Sequence, residues 1–103
     1  MRELEPFFAA LRATPAKTAT SRLLNTADRD LGALLRYAEE SEVQEVLVLL
    51  SEAKRERIVA EIGRMRRVRL PPETIGRIAR HLAAHLGGDR SLGPASRYFK
   101  PAT

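Results

Sequence analysis

With 103 residues, 18 Lys and Arg against 13 Asp and Glu, the chain carries a net charge of +5. Its length accommodates one domain around a single modest core and argues against a large enzyme with a roomy cleft. The absence of cysteine excludes disulfide frameworks, thiolate catalysis and sulfur-ligated zinc, and the basic balance points to an acidic partner.

Residues 3–12, with Leu4, Phe7, Phe8 and Leu11 at helical spacing, predict a first helix, and residues 18–24 a second after the "TPAK" break. Leu31, Leu34, Leu35 and Ala38 predict a short third helix, with Asn25, Thr26 or Asp28 of "NTAD" as its cap. Ser41 is the expected cap of a fourth. There Val43, Val46, Leu47 and Leu50 make an i, i+3, i+4, i+7 stripe that Val48 and Leu49 widen, so this helix is expected to be the most buried. The run "VLVLL" also has strand character, but no second strand or hairpin turn is available to pair with it, and it is too short to cross a bilayer.

Ser51 and Glu52 open a fifth helix, in which Ile58, Ile62 and Met65 face one way with Val59 beside them. The Leu70-Pro71-Pro72 step forces an extended residue, and Pro72 and Glu73 then suit the first turn of a sixth helix. Its Ile75, Ile78, Ala79, Leu82 and Leu86 share one sector, and it stops at Gly87-Gly88. Residues 1–88 are therefore expected to form one all-α domain of five to six short helices. Residues 89–103, rich in Gly, Pro and Ser, are expected to be a flexible tail in which Tyr98 and Phe99 are apolar enough to dock. No stretch has the length and apolarity of a membrane span, and a soluble, cytoplasmic protein is expected.

The chain offers little catalytic material. His81 and His85 have the i, i+4 spacing of two metal ligands on one helix face, yet no Glu stands between them and no third ligand follows, so two solvent-facing histidines at a helix end are expected. Glu39, Glu40 and Glu42 fall at a helix junction, Ser and Thr stand mainly at caps and turns, and "GGDR" follows a helix instead of opening one. No enzyme activity, cofactor or metal is expected.

The arginines carry the stronger signal. Arg57 and Arg64 bracket Glu61 at i+4 and i+3 spacing, which balances part of the charge. Arg66, Arg67 and Arg69 in "RMRRVRLPPE" are left unbalanced, with Arg77 and Arg80 on the outer face of the following helix. Arginine suits phosphate, so a nucleic-acid-binding surface is the alternative reading; aromatic interleaving and a helix-turn-helix signature are missing.

The stretches "VLVLLSEAKRERIVAEIGRM" and "PPETIGRIARHLAAHL" resemble a module of the flagellar rotor protein FliG family. The matching positions are Val46, Leu47 and Leu50, then Ser51 and Glu52, then Ile58, Val59 and Ile62, then Pro72, Glu73, Ile75, Ile78 and Leu82, within residues 28–86. The resemblance implies a small right-handed armadillo-like bundle that stacks on neighbouring subunits and docks rotor or stator components instead of catalysing a reaction. Aligned with the C-terminal module, it implies partner-facing charges at Arg36, Glu61 and Arg69. Ala53 stands where that module is basic, and Ala60 replaces an acid. Aligned with the middle module, Thr26, Ala27, Asp28 and Arg29 stand in place of a Glu-His-Pro-Gln motif.

A single repeat unit leaves apolar edges uncovered, and Val48, Leu49, Val59, Phe7 and Phe8 exceed what one small bundle requires. The expectation is an adaptor or assembly module. Arg64, Arg66, Arg67 and Arg69 meet an acidic protein surface, and an apolar helix face supports homo-oligomerisation by stacking.

Overall fold

The computed structural model describes residues 2–87. It is all-α: a 3₁₀ turn at Arg2–Leu4 leads into α1 (Glu5–Ala13), α2 (Ala16–Leu24), α3 (Asp28–Leu35), α4 (Glu40–Leu47), α5 (Glu52–Met65) and α6 (Pro72–Leu86). The expected tail, including Tyr98 and Phe99, lies outside the described residues. No helix among the described residues is long and apolar enough to cross a membrane.

The core forms where the apolar stripe of α6 packs on both α1 and α3. Leu4, Phe7, Phe8 and Leu11 are all buried, with Phe7 and Phe8 edge to face at 5.0 Å between ring centroids. This overturns their assignment to an uncovered edge: the face that seemed surplus in a single helix is taken up by α6, against which α1 packs. Five consecutive residues, Leu31 to Leu35, are buried in α3. A helix covered all round in this way must sit between its neighbours, and α3 packs on both α5 and α6.

The approach of α3 to α5 depends on Gly32. A β-carbon built there would stand 2.6 Å from Cγ and 2.8 Å from Cβ of Glu61. Only a residue without a side chain allows the two backbones this spacing.

Three expected helix starts differ. α2 begins two residues earlier than predicted, directly after Pro15, a residue unable to continue a helix N-terminally but compatible with its first turn. Ala27 occupies the N-cap of α3 without a side-chain bond; Thr26 turns back to donate to the Arg22 carbonyl (2.8 Å) and Asn25 to that of Ser21 (3.1 Å), finishing α2. α4 is capped by Glu39, not Ser41, and the Glu39 N–H donates to the Glu42 carboxylate at 2.9 Å. Ser51 caps α5 as predicted, accepting from the Lys54 N–H at 3.3 Å.

The expectation that the fourth helix is the most buried is also overturned, since α4 buries only Val46 and Leu47. Its helical winding stops at Leu47, and the Leu49 and Leu50 N–H groups bond back to the Val46 and Leu47 carbonyls in a tight turn. Arg55 closes the turn, donating to the carbonyls of Leu47 and Leu50 at 3.1 Å each. That turn returns Leu50 to the core but leaves Val48 70% exposed. None of the principal helix contacts involves α4; a two-pronged Arg12–Glu45 pair at 2.9 and 3.0 Å ties it to α1.

Candidate functional site

The basic connector between α5 and α6 is held in place from its backbone side. After α5 the chain unwinds through the Val68 N–H to the Met65 carbonyl (3.0 Å) and then extends towards Pro71. Tyr37, just beyond α3, receives the Leu70 N–H on its hydroxyl at 3.0 Å and donates to the Val68 carbonyl at 3.5 Å. Arg36 donates from Nη2 to the Arg66 carbonyl at 3.1 Å, and its guanidinium lies 4.3 Å from the centre of the Tyr37 ring. The connector therefore has a fixed course, with Arg66, Arg67 and Arg69 exposed on it. None of the three makes an ion pair with another described residue.

The remaining predicted residues separate into distinct settings. Arg64 is exposed but held by Glu61, with its Nε at 3.1 Å and Nη2 at 2.6 Å from one carboxylate oxygen. Glu61 itself is only 15% exposed, pressed against Gly32. It is part of the α3–α5 junction more than a free acidic group. Arg57, expected to share Glu61, pairs instead with Asp28 at 3.1 Å: helical spacing identifies a reachable neighbour but cannot weigh it against one brought in by folding. Arg77 and Arg80 are exposed on α6, and no hydrogen bond or ion pair among the described residues joins them to the connector.

Arg36 has a second face. Together with Arg66 it lines a half-open groove of about 530 Å³ between α4 and α5, whose apolar wall includes Leu35, Val43, Leu47, Val59 and Ile62. The Nε of Arg36 is buried and has no hydrogen-bond acceptor among the described residues.

The histidines are not directed simply at solvent. His81 and His85 are half-buried and line a depression of about 380 Å³ with Asp28, Asp30 and the α2–α3 turn. His85 Nε2 lies 3.1 Å from the Arg22 carbonyl, which makes this nitrogen the donor, while Arg22 returns a bond to the Leu86 carbonyl at 2.8 Å. Two helix C-termini are thus satisfied reciprocally. Burial holds the Asp30 carboxyl above its ordinary range, partly offset by His81 and Arg29. Asp28 is moved the opposite way by its hydrogen bond from Lys54, with Arg57 assisting. No group of three or more His, Asp or Glu among the described residues is placed to hold a metal.

Two residues central to these arrangements escaped the sequence reading. Lys54 lies in a run of charges, "AKRER", that looks like a solvated surface, and Tyr37 reads as an ordinary half-exposed aromatic. The only local hint was the position of Tyr37 beside Arg36, a ring and a cation already adjacent in the chain. No family model, curated protein or solved structure matches this chain.

Proposed function

We propose that this chain is a non-enzymatic docking and assembly module that recognises an acidic protein surface through Arg66, Arg67 and Arg69. The observation that carries the reading is the immobilisation of the connector by Arg36 and Tyr37, which leaves those three arginines exposed on an ordered backbone. Three arginines on an ordered backbone lose less conformational entropy on binding than the same charges on a free tail. Exposed Val48 and Val59 add apolar contact outside the core and support a stacking role. The resemblance of residues 28–86 to flagellar rotor modules supports the same class of function, with a rotor or stator component as the partner.

The test is fluorescence anisotropy with a labelled oligoglutamate peptide and, in parallel, a short DNA duplex, each across a salt series. The docking reading expects capture of the acidic peptide and a loss of about tenfold or more when Arg66, Arg67 and Arg69 are all changed to Glu. Unchanged capture by that variant would make the connector a bystander. Duplex binding that persists near physiological salt, with no capture of the acidic peptide, would replace a protein partner with nucleic acid. Light scattering over a concentration series tests self-association separately, and a strict monomer throughout removes stacking.

A further inference from the structure

We infer that the groove between α4 and α5 receives an amphipathic helix of the acidic partner, apolar face down, with a partner carboxylate reaching Arg36 and Arg66. This deepens the docking reading and rests on it: the connector supplies capture, and the groove supplies the specific seat.

Three observations combine. The groove has an apolar wall formed from both helices, including Val59, which is 52% exposed although it stands in the middle of α5. At about 530 Å³ it has room for several side chains from one face of a helix. Its charged lining is predominantly basic, with Arg36 and Arg66 against Glu40 as the one carboxylate. Arg36 is already oriented by the Tyr37 ring and the Arg66 carbonyl. A carboxylate is the group best suited to the guanidiniums of Arg36 and Arg66 that line the groove, because a guanidinium accommodates that geometry through paired donors. Apolar contact alone leaves these two cations unanswered, which favours an acidic amphipathic helix over a purely apolar one.

The groove also continues into the connector through Arg66, which lines the groove and belongs to the exposed arginine set. One partner segment can therefore place apolar residues against Val43, Leu47 and Ile62 and continue acidic residues along Arg67 and Arg69. Such helix-in-groove recognition is read through anchors at i, i+3, i+4 and i+7.

The experiment is an NMR titration of the full ¹⁵N-labelled chain with a capped peptide of about four helical turns, leucines at those anchor positions and glutamates elsewhere. Its lysine-for-glutamate counterpart and an oligoglutamate of equal length serve as comparison probes. The acidic amphipathic peptide should shift the amides of Val43, Leu47, Val59, Ile62 and Gly63 and bind at least about tenfold more tightly than either comparison probe. Val59→Glu, a change at an exposed position, should remove most of that preference, whereas Leu24→Glu, at an exposed apolar site on α2 away from both the groove lining and the connector, should not. Equal binding of the lysine peptide would overturn the carboxylate assignment. Oligoglutamate binding as tightly, with shifts confined to Arg66–Arg69, would overturn the groove while leaving connector docking intact. If no acidic probe binds, both readings fail. Groove shifts that grow with protein concentration in the absence of peptide would identify a second copy as the occupant and overturn the acidic helix.

Discussion

Lys54 and Asp28 join α5 to the start of α3 by a short, buried-side ion pair. The Lys54 side chain is 3% exposed, and its ammonium also donates to the Thr26 carbonyl at 2.7 Å. Removing that ammonium leaves a backbone carbonyl and a carboxylate oxygen short of a donor. Lys54→Met, which keeps the apolar length, should cost about 1–3 kcal/mol in chemical denaturation. An unchanged denaturation midpoint would show that water replaces the ammonium without loss.

The same pair sets a sign for acid sensitivity. Lys54 and Arg57 hold the Asp28 carboxyl below its ordinary range in the folded state. Its contribution is therefore fully present above the unfolded value of about 3.9 and is lost as pH falls through the lower folded value. Asp28→Asn should destabilise at neutral pH, and its deficit should shrink as the pH falls below about 4. A deficit independent of pH would assign the effect to shape instead of charge.

Asp30 has the opposite sign, because burial raises its folded value. A carboxyl that binds its proton more tightly in the folded state favours folding at low pH and loses that advantage as pH rises from the unfolded to the folded value. Relative to the parent, Asp30→Asn should be more stable at pH 7 than at pH 3. Thermal melts at the two pH values measure this difference, and an inverted order would mean that His81, Arg29 and the α3 N-terminus outweigh desolvation.

Gly32→Ala should lose about 1–3 kcal/mol despite the better helix propensity of alanine, because the added carbon meets Glu61 at under 3 Å. In a Glu61→Ala background the contact at Cγ disappears but that at Cβ remains. Partial rescue is therefore expected. Full rescue would locate the conflict in the movable end of the glutamate and not in the helix spacing.

Tyr37→Phe removes the hydroxyl that serves both Leu70 and Val68. The expected loss is about 1 kcal/mol, or roughly 4–8 °C in midpoint temperature for a domain near this size. Faster amide exchange at Leu70 should accompany it. If exchange at Leu70 is unchanged, the prolines that follow hold the connector without the tyrosine.

The sequence was most legible where one helix face met one large partner. The stripes of α1 and α6 and the Ser51 cap were read from local spacing alone, since period and cap chemistry act within a few residues. Lys54 was illegible for the complementary reason: its partners Thr26 and Asp28 lie 28 and 26 residues away, and no local pattern distinguishes it from Arg55 beside it. α4 was overread because an apolar run records which residues avoid water but not where the winding ends, and here Arg55 terminates it at the carbonyls of Leu47 and Leu50. For the candidate site, the exposed arginines were visible in "RMRRVRLPPE", whereas their fixed backbone depended on Arg36 and Tyr37, some thirty residues upstream.

The sparse attachment of α4 has a consequence for the energy landscape of the domain. Its buried side chains are gathered at the C-terminal end, at Val46 and Leu47, beside Glu45 and its ion pair with the half-exposed Arg12, while the first turn adds only the partly buried Val43. Detaching that first turn breaks the Glu39–Glu42 cap and the Val43 contact, whereas detaching α3 would expose Leu31, Leu34 and Leu35 together. The first turn of α4 is accordingly expected to open at a free energy below that of global unfolding, with faster amide exchange there than in α3. The mouth of the neighbouring groove, which Glu40 and Val43 line, would then widen and narrow with the fraying of that turn while the core stays folded.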